Sequence, residues 1–218
     1  MPNLSNVVLT EYTFQYKNDV TIRGSTRVIP LLPIDIGALN RFFPNVRERV
    51  VNEIKVEREV KPQVNLSHPV TLTSENDWDR MDRTLEVMSV SDNQYNGMEW
   101  TELDLSGFVK LRKIKVGNDC FKNVKKVNIC GLSELESVCI GSKAFGRDDN
   151  SKGGSFCLKN CPKLKSLKMG RYSFSDYTVC EIENVDALEV IEMGDVNYWS
   201  GCFYWSSLEL NSVFIHSK

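Results

Sequence analysis

The sequence of 218 residues predicts a mainly β protein built from repeated units of two short strands, with little helix. Three observations carry this prediction: a self-similar pattern of apolar residues, an apolar spacing of two within each segment, and no sustained helical periodicity. Hydrophobic residues make up 41% of the chain and charged residues 26%, which is typical of a folded protein with a buried core. We therefore expect a coil of stacked units joined by turns.

The first apolar segment of each unit follows one spacing. Leu111 is followed by two apolar residues, a glycine and a phenylalanine, which stand three, five, six and ten residues later. These residues are Ile114, Val116, Gly117 and Phe121. The spacing recurs at Leu135, Val138, Ile140, Gly141 and Phe145, at Leu164, Leu167, Met169, Gly170 and Phe174, and at Leu188, Ile191, Met193 and Gly194, with Phe203 displaced by an insertion. We expect a turn with positive φ at each glycine, because that conformation costs other residues more.

A second apolar segment lies between successive copies of the first. It is a pair of apolar residues two positions apart, and the pairs are Leu103 and Leu105, Val127 and Ile129, Phe156 and Leu158, Cys180 and Ile182, and Leu208 and Leu210. Alternation of this kind places every second side chain on one face, as in a strand. Each unit therefore carries two strands, and stacking the units pairs these strands in parallel at a spacing of about 4.8 Å.

Weaker copies of the first segment lie nearer the N-terminus. They are Leu85, Met88, Val90 and Tyr95, and Leu4, Val7, Leu9 and Phe14. Leu31, Ile34, Ile36, Gly37 and Phe42 fit a divergent unit, and residues 46–56 fit either a short helix or a strand. Residues 61–83, rich in Pro, Ser, Asn and Asp, predict a loop or an irregular turn. We expect divergent repeats or an irregular segment over residues 1–84 and regular repeats over 85–218, continuous as one domain.

One stretch carries a recognisable motif. The run Ile140-Gly141-Ser142-Lys143-Ala144-Phe145 is followed by Asn160-Cys161-Pro162-Lys163-Leu164, which leads into Leu167 and Met169. This pattern resembles the leucine-rich repeat of the BspA-like class, and the resemblance covers about residues 85–215. It implies a leucine-rich-repeat solenoid that acts in protein interaction or at a surface, without catalytic residues.

The repeat pattern stops at Val213 and Ile215, halfway through a unit. A stack of strands needs its last apolar face and strand edge covered. The sequence therefore predicts either a piece of a longer array or an end covered by another chain, including self-association through this uncapped C-terminal end. Tyr198, Trp199, Phe203, Tyr204 and Trp205 crowd the insertion before it, and we interpret them as packing at the end of the core, with interface anchors as the alternative.

Charge, hydropathy and motifs exclude several classes of function. The formal net charge is -2, which argues against a nucleic-acid partner, and no apolar run approaches the roughly 20 residues of a membrane span. The start of the chain lacks a secretory pattern, so we expect a cytoplasmic protein, extracellular only if an upstream signal is missing.

The seven cysteines, an odd number, favour reduced thiols that act as small buried hydrophobes. No cofactor or metal is expected, because the known phosphate, dinucleotide and calcium motifs are absent and His68 and His216 are the only histidines.

Charged residues on the first strand of each unit are the candidate binding residues. Bases concentrate in residues 110–126 and acids in 181–195, which predicts a surface polarised along the stack. The candidate partner-binding residues are Arg112, Lys113, Lys115, Glu136, Lys165, Lys168, Glu189 and Glu192. We expect a non-enzymatic scaffold that binds a protein of unknown identity. The alternatives are a recruiting or regulatory part of a larger enzyme assembly, a surface adhesion protein, and, for the charges alone, a solvated face without a partner.

Overall fold

The structure is a computed structural model that describes residues 6–9, 20–23, 69–146, 152–194 and 200–211. Within these ranges the protein is mainly β, with thirteen strands and a single 3-10 helix at Glu75–Asp77. The strands pair in parallel and form two sheets. This confirms the predicted mainly β class. No helix in the described ranges has the length and apolar content needed to cross a bilayer.

The strands are numbered in chain order. The seven-stranded sheet contains β1 (Asn6–Leu9), β3 (Pro69–Leu72), β4 (Val87–Val90), β6 (Lys113–Val116), β8 (Ser137–Ile140), β10 (Ser166–Met169) and β12 (Val190–Met193), in the order β1-β12-β10-β8-β6-β4-β3. The six-stranded sheet contains β2 (Val20–Arg23), β5 (Glu102–Asp104), β7 (Lys126–Cys130), β9 (Ser155–Lys159), β11 (Val179–Glu183) and β13 (Ser207–Asn211), in the order β2-β13-β11-β9-β7-β5. From β4 onward the chain alternates between the sheets, so each repeat gives one strand to each of them.

The predicted repeat positions are strand partners. Ile114, Val138, Leu167 and Ile191 face one another in register across β6, β8, β10 and β12. All four are at most 2% exposed, because alternate residues of each strand point into the space between the sheets. In the other sheet Leu103, Val127, Phe156 and Cys180 occupy the equivalent buried register position. Both predicted strands of the repeat are therefore confirmed.

A column of stacked aromatic rings runs along the core. Tyr95, Phe121, Phe145, Phe174 and Phe203 follow one another with ring centroids 5.0, 5.1, 4.6 and 4.9 Å apart and nearly parallel planes. Each has a positive φ, between 46° and 59°, which is costly for a bulky residue. Burial of the ring offsets this cost, and in Phe121, Phe145 and Phe174 the backbone N–H also donates to a carbonyl of the preceding unit. Phe203, displaced in sequence, thus keeps the place of the repeated phenylalanine.

The repeated glycines do not serve the purpose predicted for them. Only Gly194 has a positive φ, of 92°, whereas Gly117, Gly141 and Gly170 do not. Their role is close approach between units. A Cβ at Gly141 would lie 2.5 Å from the carbonyl carbon and oxygen of Gly117, and the Gly141 N–H donates to Val116 at 2.8 Å. The positive-φ positions follow two and four residues later, as at Asp119 and Phe121.

Gly141→Ala should therefore lower the free energy of unfolding by about 1–3 kcal/mol, because the added methyl group meets backbone rather than a movable side chain. Gly131→Ala is the matched control, since no atom lies within 4 Å of its Cβ position and only its φ of +74° is unfavourable. That variant should lose about 1 kcal/mol. Urea denaturation followed by circular dichroism compares the two. Equal midpoints for wild type and Gly141→Ala would contradict the close approach.

One N-terminal prediction needs correction, and the place of β1 was not predicted. β3 lies inside residues 61–83, predicted to be a loop or irregular turn, because Val70 and Leu72 pair in register with Met88 and Val90. β1 belongs to the predicted unit of Leu4, Val7 and Leu9, but it lies beside β12, at the opposite end of the seven-stranded sheet from β3. The proposed units in residues 31–42 and 46–56 lie outside the described residues.

The prediction that the C-terminal strands have open edges is also wrong. β12 pairs with β1, with Val7 opposite Ile191, and β13 pairs with β2, with Ile22 opposite Leu210. The chain's own N-terminal strands therefore supply the backbone partners that we expected from another chain. At the other end of the stack, Trp78, Tyr95, Trp100 and Phe108 meet edge to face and cover the core.

Candidate functional site

The candidate site is the solvent face of the seven-stranded sheet. Two rows of side chains cross its central strands. Lys113, Ser137, Ser166 and Val190 form one row, and Lys115, Cys139, Lys168 and Glu192 form the other. Parallel register aligns these residues from strand to strand, at the spacing of about 4.8 Å between neighbours. The structure thus brings four of the predicted residues, Lys113, Lys115, Lys168 and Glu192, onto one face.

The other four predicted residues lie just before the strands and form a separate row. In stack order this row is Glu86, Arg112, Glu136, Lys165 and Glu189, with charges that alternate in sign. The Arg112 guanidinium lies 2.6 Å from the Glu136 carboxylate and 3.8 Å from that of Glu86. The hydrogen bond to Glu136 raises the pKa of Arg112 above its usual value. Arg112 and Glu136 therefore bind each other across units.

This alternating row was missed in the sequence, although a signal for it exists. Each member directly follows the leucine that opens a unit, as Glu86 follows Leu85 and Arg112 follows Leu111. Opposite charges at one repeat position predict attraction between stacked neighbours, as cross-strand pairs do within a sheet. Each such pair is exposed enough to solvent to contribute at most about 1 kcal/mol.

Lys113 and Lys115 differ from the other lysines of the two sheets. Lys168 pairs with Glu192 at 2.8 Å, Lys126 with Glu102 at 2.7 Å, and Lys159 with both Glu181 and Glu183 at 3.0 and 3.3 Å. Among the described residues, Lys113 and Lys115 have no ion pair. Both side chains come from β6, on the same face, two residues apart. They are the positive charges that this face leaves available to a ligand.

The predicted basic and acidic stretches of the stack differ in how many of their charges form ion pairs. In the acidic stretch of residues 181–195, Glu181, Glu183 and Glu192 are neutralised by lysines of neighbouring strands. In the basic stretch of residues 110–126, ion pairs occupy Arg112, Lys122 and Lys126. The available charge is therefore positive and lies near β6, while much of the acidic pole is already paired.

The solvent face of the six-stranded sheet is more fully paired. Besides the lysine pairs at Glu102, Glu181 and Glu183, the Asn128 amide donates to Asp104 at 3.0 Å. Hydrogen bonds from Ser106, chiefly from its backbone N–H, and from the Asn128 side chain lower the pKa of Asp104. Lys159 lies between two carboxylates, and its pKa is raised chiefly by the hydrogen bond to Glu181. These internal pairs leave this face less charge for a partner than the other face has.

The C-terminal aromatic residues divide between core and surface. Phe203 is buried in the ring column, as the packing interpretation predicted. Tyr204 and Trp205 are half-buried and meet edge to face, and the Lys152 ammonium lies 3.3 Å from the centroid of the Trp205 ring. Tyr198 and Trp199 lie outside the described residues.

All seven cysteines are free thiols. Four are buried, and three of them act as donors: the Cys120, Cys161 and Cys202 thiols lie 3.0, 3.7 and 2.9 Å from carbonyl oxygens of neighbouring units. Burial raises the pKa of Cys202 to about 11, so this thiol stays protonated at neutral pH. Cys130 and Cys157 are half-buried and Cys139 is exposed, so the expectation of buried thiols is wrong for these three.

No group of three or more metal-ligating side chains occurs in the described part of the chain. His68 and His216 lie outside it. When the chain was compared with protein-family models, with curated proteins and with solved structures, none of the three gave a match. The functional argument therefore depends on the two sheet faces.

Proposed function

We propose that this chain is a leucine-rich-repeat solenoid of the BspA-like class that binds another protein through the face of its seven-stranded sheet. The repeat motif supports the class. Ile140 ends β8, Gly141 stands at the close approach between units, and Phe145 belongs to the ring column. Each of these three motif residues thus has a packing reason to recur in every unit.

The observation that carries the binding proposal is the available charge of Lys113 and Lys115. Strand ladders leave the outward side chains free to vary without disturbing the core, so a repeat coil can present a broad recognition surface. Lys113 and Lys115 have no ion pairs among the described residues, and the half-buried hydroxyls of Ser137 and Ser166 lie beside them. These ammonium and hydroxyl groups can donate hydrogen bonds to the carboxylates and backbone carbonyls of a partner. The partner is accordingly a protein with an acidic segment, and the role is recognition without catalysis.

The test uses the full tagged chain and the double variant Lys113→Glu with Lys115→Glu. The variant reverses the charges of half-buried Lys113 and exposed Lys115, which both point away from the core, so it should fold normally and lose most of the wild-type binding. Affinity capture from cell extract, with quantitative mass spectrometry, identifies proteins depleted by the variant. Binding of each candidate is then measured by fluorescence anisotropy on its acidic segment as a synthetic peptide. Affinity should fall at least about tenfold in the variant and weaken with salt.

The matched control is Lys110→Glu with Lys125→Glu. Both lysines are exposed and come from the same basic stretch, but neither lies on the face of the seven-stranded sheet. This control changes the net charge by the same amount, so general electrostatic attraction would weaken equally in both double variants. Equal recovery of all partners by the wild type and the Lys113/Lys115 variant would reject this face as the binding surface.

A further inference from the structure

Two cysteine side chains meet on the solvent face of the six-stranded sheet. Cys130 is the last residue of β7, and Cys157 is the middle residue of the neighbouring strand β9. Cys157 is paired in register with Asn128, so the two cysteines stand diagonally across adjacent strands. Their Sγ atoms are 3.3 Å apart. The two thiols belong to successive repeats, 27 residues apart in the chain.

The surroundings of the pair distinguish its two sulfurs. Burial, and then the adjacent Cys157 sulfur, raise the pKa of the Cys130 thiol to about 12, so Cys130 is protonated at neutral pH. Lys126 and Lys159 both interact electrostatically with Cys157. Both cysteines are half-buried, so a small reagent can reach them from solvent.

We propose that Cys130 and Cys157 form a reversible disulfide when the protein meets a two-electron oxidant of the peroxide class. The Cys157 thiolate attacks one peroxide oxygen, the O–O bond breaks, and Cys157 becomes a sulfenic acid while hydroxide leaves and takes up a proton. The Cys130 sulfur then displaces the sulfenic oxygen, which leaves as water with the Cys130 proton. In total, two thiols and one hydrogen peroxide give one disulfide and two waters, and a thiol reductant reverses the step.

Closing the bond requires only local movement. A disulfide is about 2.05 Å long, so the two sulfurs must approach by roughly 1.3 Å from their present 3.3 Å. The diagonal placement keeps the two backbones farther apart than in an ordinary disulfide. The end of β7 must therefore move toward β9 for the bond to close. No atom lies within 4 Å of the Cβ position of Gly131, the residue after Cys130, so the movement meets no packed neighbour there. It must, however, loosen the hydrogen bond that the Gly131 N–H donates to Lys159 at 3.0 Å. The resulting bond is strained, and strain makes a disulfide easier to reduce.

Peptide mapping of the oxidised wild-type chain tests the proposal directly. The reduced protein is treated with hydrogen peroxide, quenched with catalase, denatured, alkylated with iodoacetamide and digested. Alkylation should fall from seven cysteines to five, the intact mass should fall by two hydrogens, and one linked peptide should join Cys130 to Cys157. Dithiothreitol should restore all seven alkylated sites. The wild-type map decides the matter even if a variant fails to fold.

Three serine variants provide the controls. Cys130→Ser and Cys157→Ser should each abolish the linked peptide, whereas Cys139→Ser, which removes the exposed thiol of the other sheet, should retain it. In Cys130→Ser a sulfenic acid should accumulate at Cys157, detectable with a dimedone probe. Cys130 and Cys157 both alkylated after oxidation of the wild type, or found separately as sulfinic acids, would overturn the proposal.

Discussion

Ile140→Asp should lower the free energy of unfolding by about 3–5 kcal/mol, enough to remove much of the stability of an ordinary domain. Ile140 is 4% exposed and lies between Val116 and Met169 in the register of the seven-stranded sheet. A carboxylate at this position faces apolar side chains from both neighbouring units, and the buried residues that the structure describes include no cation to pair with it. Because each unit packs on the next, the loss should extend to adjacent units. Guanidinium denaturation followed by circular dichroism measures it.

Cys139→Asp is the control for this substitution. Cys139 precedes Ile140 in the same strand but points to solvent, with Lys115 and Lys168 as its register partners. The new carboxylate therefore meets water and two lysines, and stability should change by no more than about 0.5 kcal/mol. If the two variants unfold at the same midpoint as the wild type, the assignment of inward and outward faces along β8 is wrong.

Phe145→Ala should cost about 3–5 kcal/mol, because it removes a fully buried ring from the middle of the aromatic column. The ring stacks on Phe121 at 5.1 Å and on Phe174 at 4.6 Å, so its loss leaves a cavity bounded by two ring faces. Alanine at this position keeps the backbone N–H that donates to Cys120, and its φ of 59° is similarly strained. The loss of stability therefore measures the contribution of the ring. Urea denaturation monitored by tryptophan fluorescence measures the change.

Tyr172→Ala provides the matched aromatic substitution. Tyr172 has nearly the same φ, 58°, but its side chain is 37% exposed and lies outside the column. Its replacement should cost no more than about 1 kcal/mol. Equal losses for Phe145→Ala and Tyr172→Ala would mean that the stacked column contributes little beyond ordinary surface packing.

The strands and the buried faces could be predicted from sequence because they depend on local alternation. Val116 and Ile140 recur with the same offsets from their leucines, and residues two apart in a strand share a face wherever the strand lies. The prediction of a positive φ at each repeated glycine failed because glycine is selected for two different reasons, a positive φ and a close approach of another backbone. Gly117 and Gly194 look alike in sequence, yet one stands where a backbone approaches closely and the other adopts a positive φ.

The candidate site was predicted only in part, for a related reason. Lys113 and Arg112 are adjacent in a basic stretch, and sequence alone treats them as equal candidates. Arg112 binds Glu136, 24 residues away, whereas Lys113 has no ion pair among the described residues. Which charge remains available depends on the residue at the same repeat position in the neighbouring unit, and a basic stretch considered on its own does not include that residue.

The sequence by itself determined the two strands of each repeat, the apolar residues that line the core and the surface positions that carry charge. Tertiary structure alone decided that Cys130 meets Cys157, that Lys159 lies between Glu181 and Glu183, and that β1 lies beside β12. The 45 residues between β2 and β3 can span the roughly 29 Å of six strand spacings, so chain connectivity permits the first strands at either end of the stack. Local side-chain chemistry determines which face of a strand is buried, whereas hydrogen bonding between strands determines which strands become neighbours.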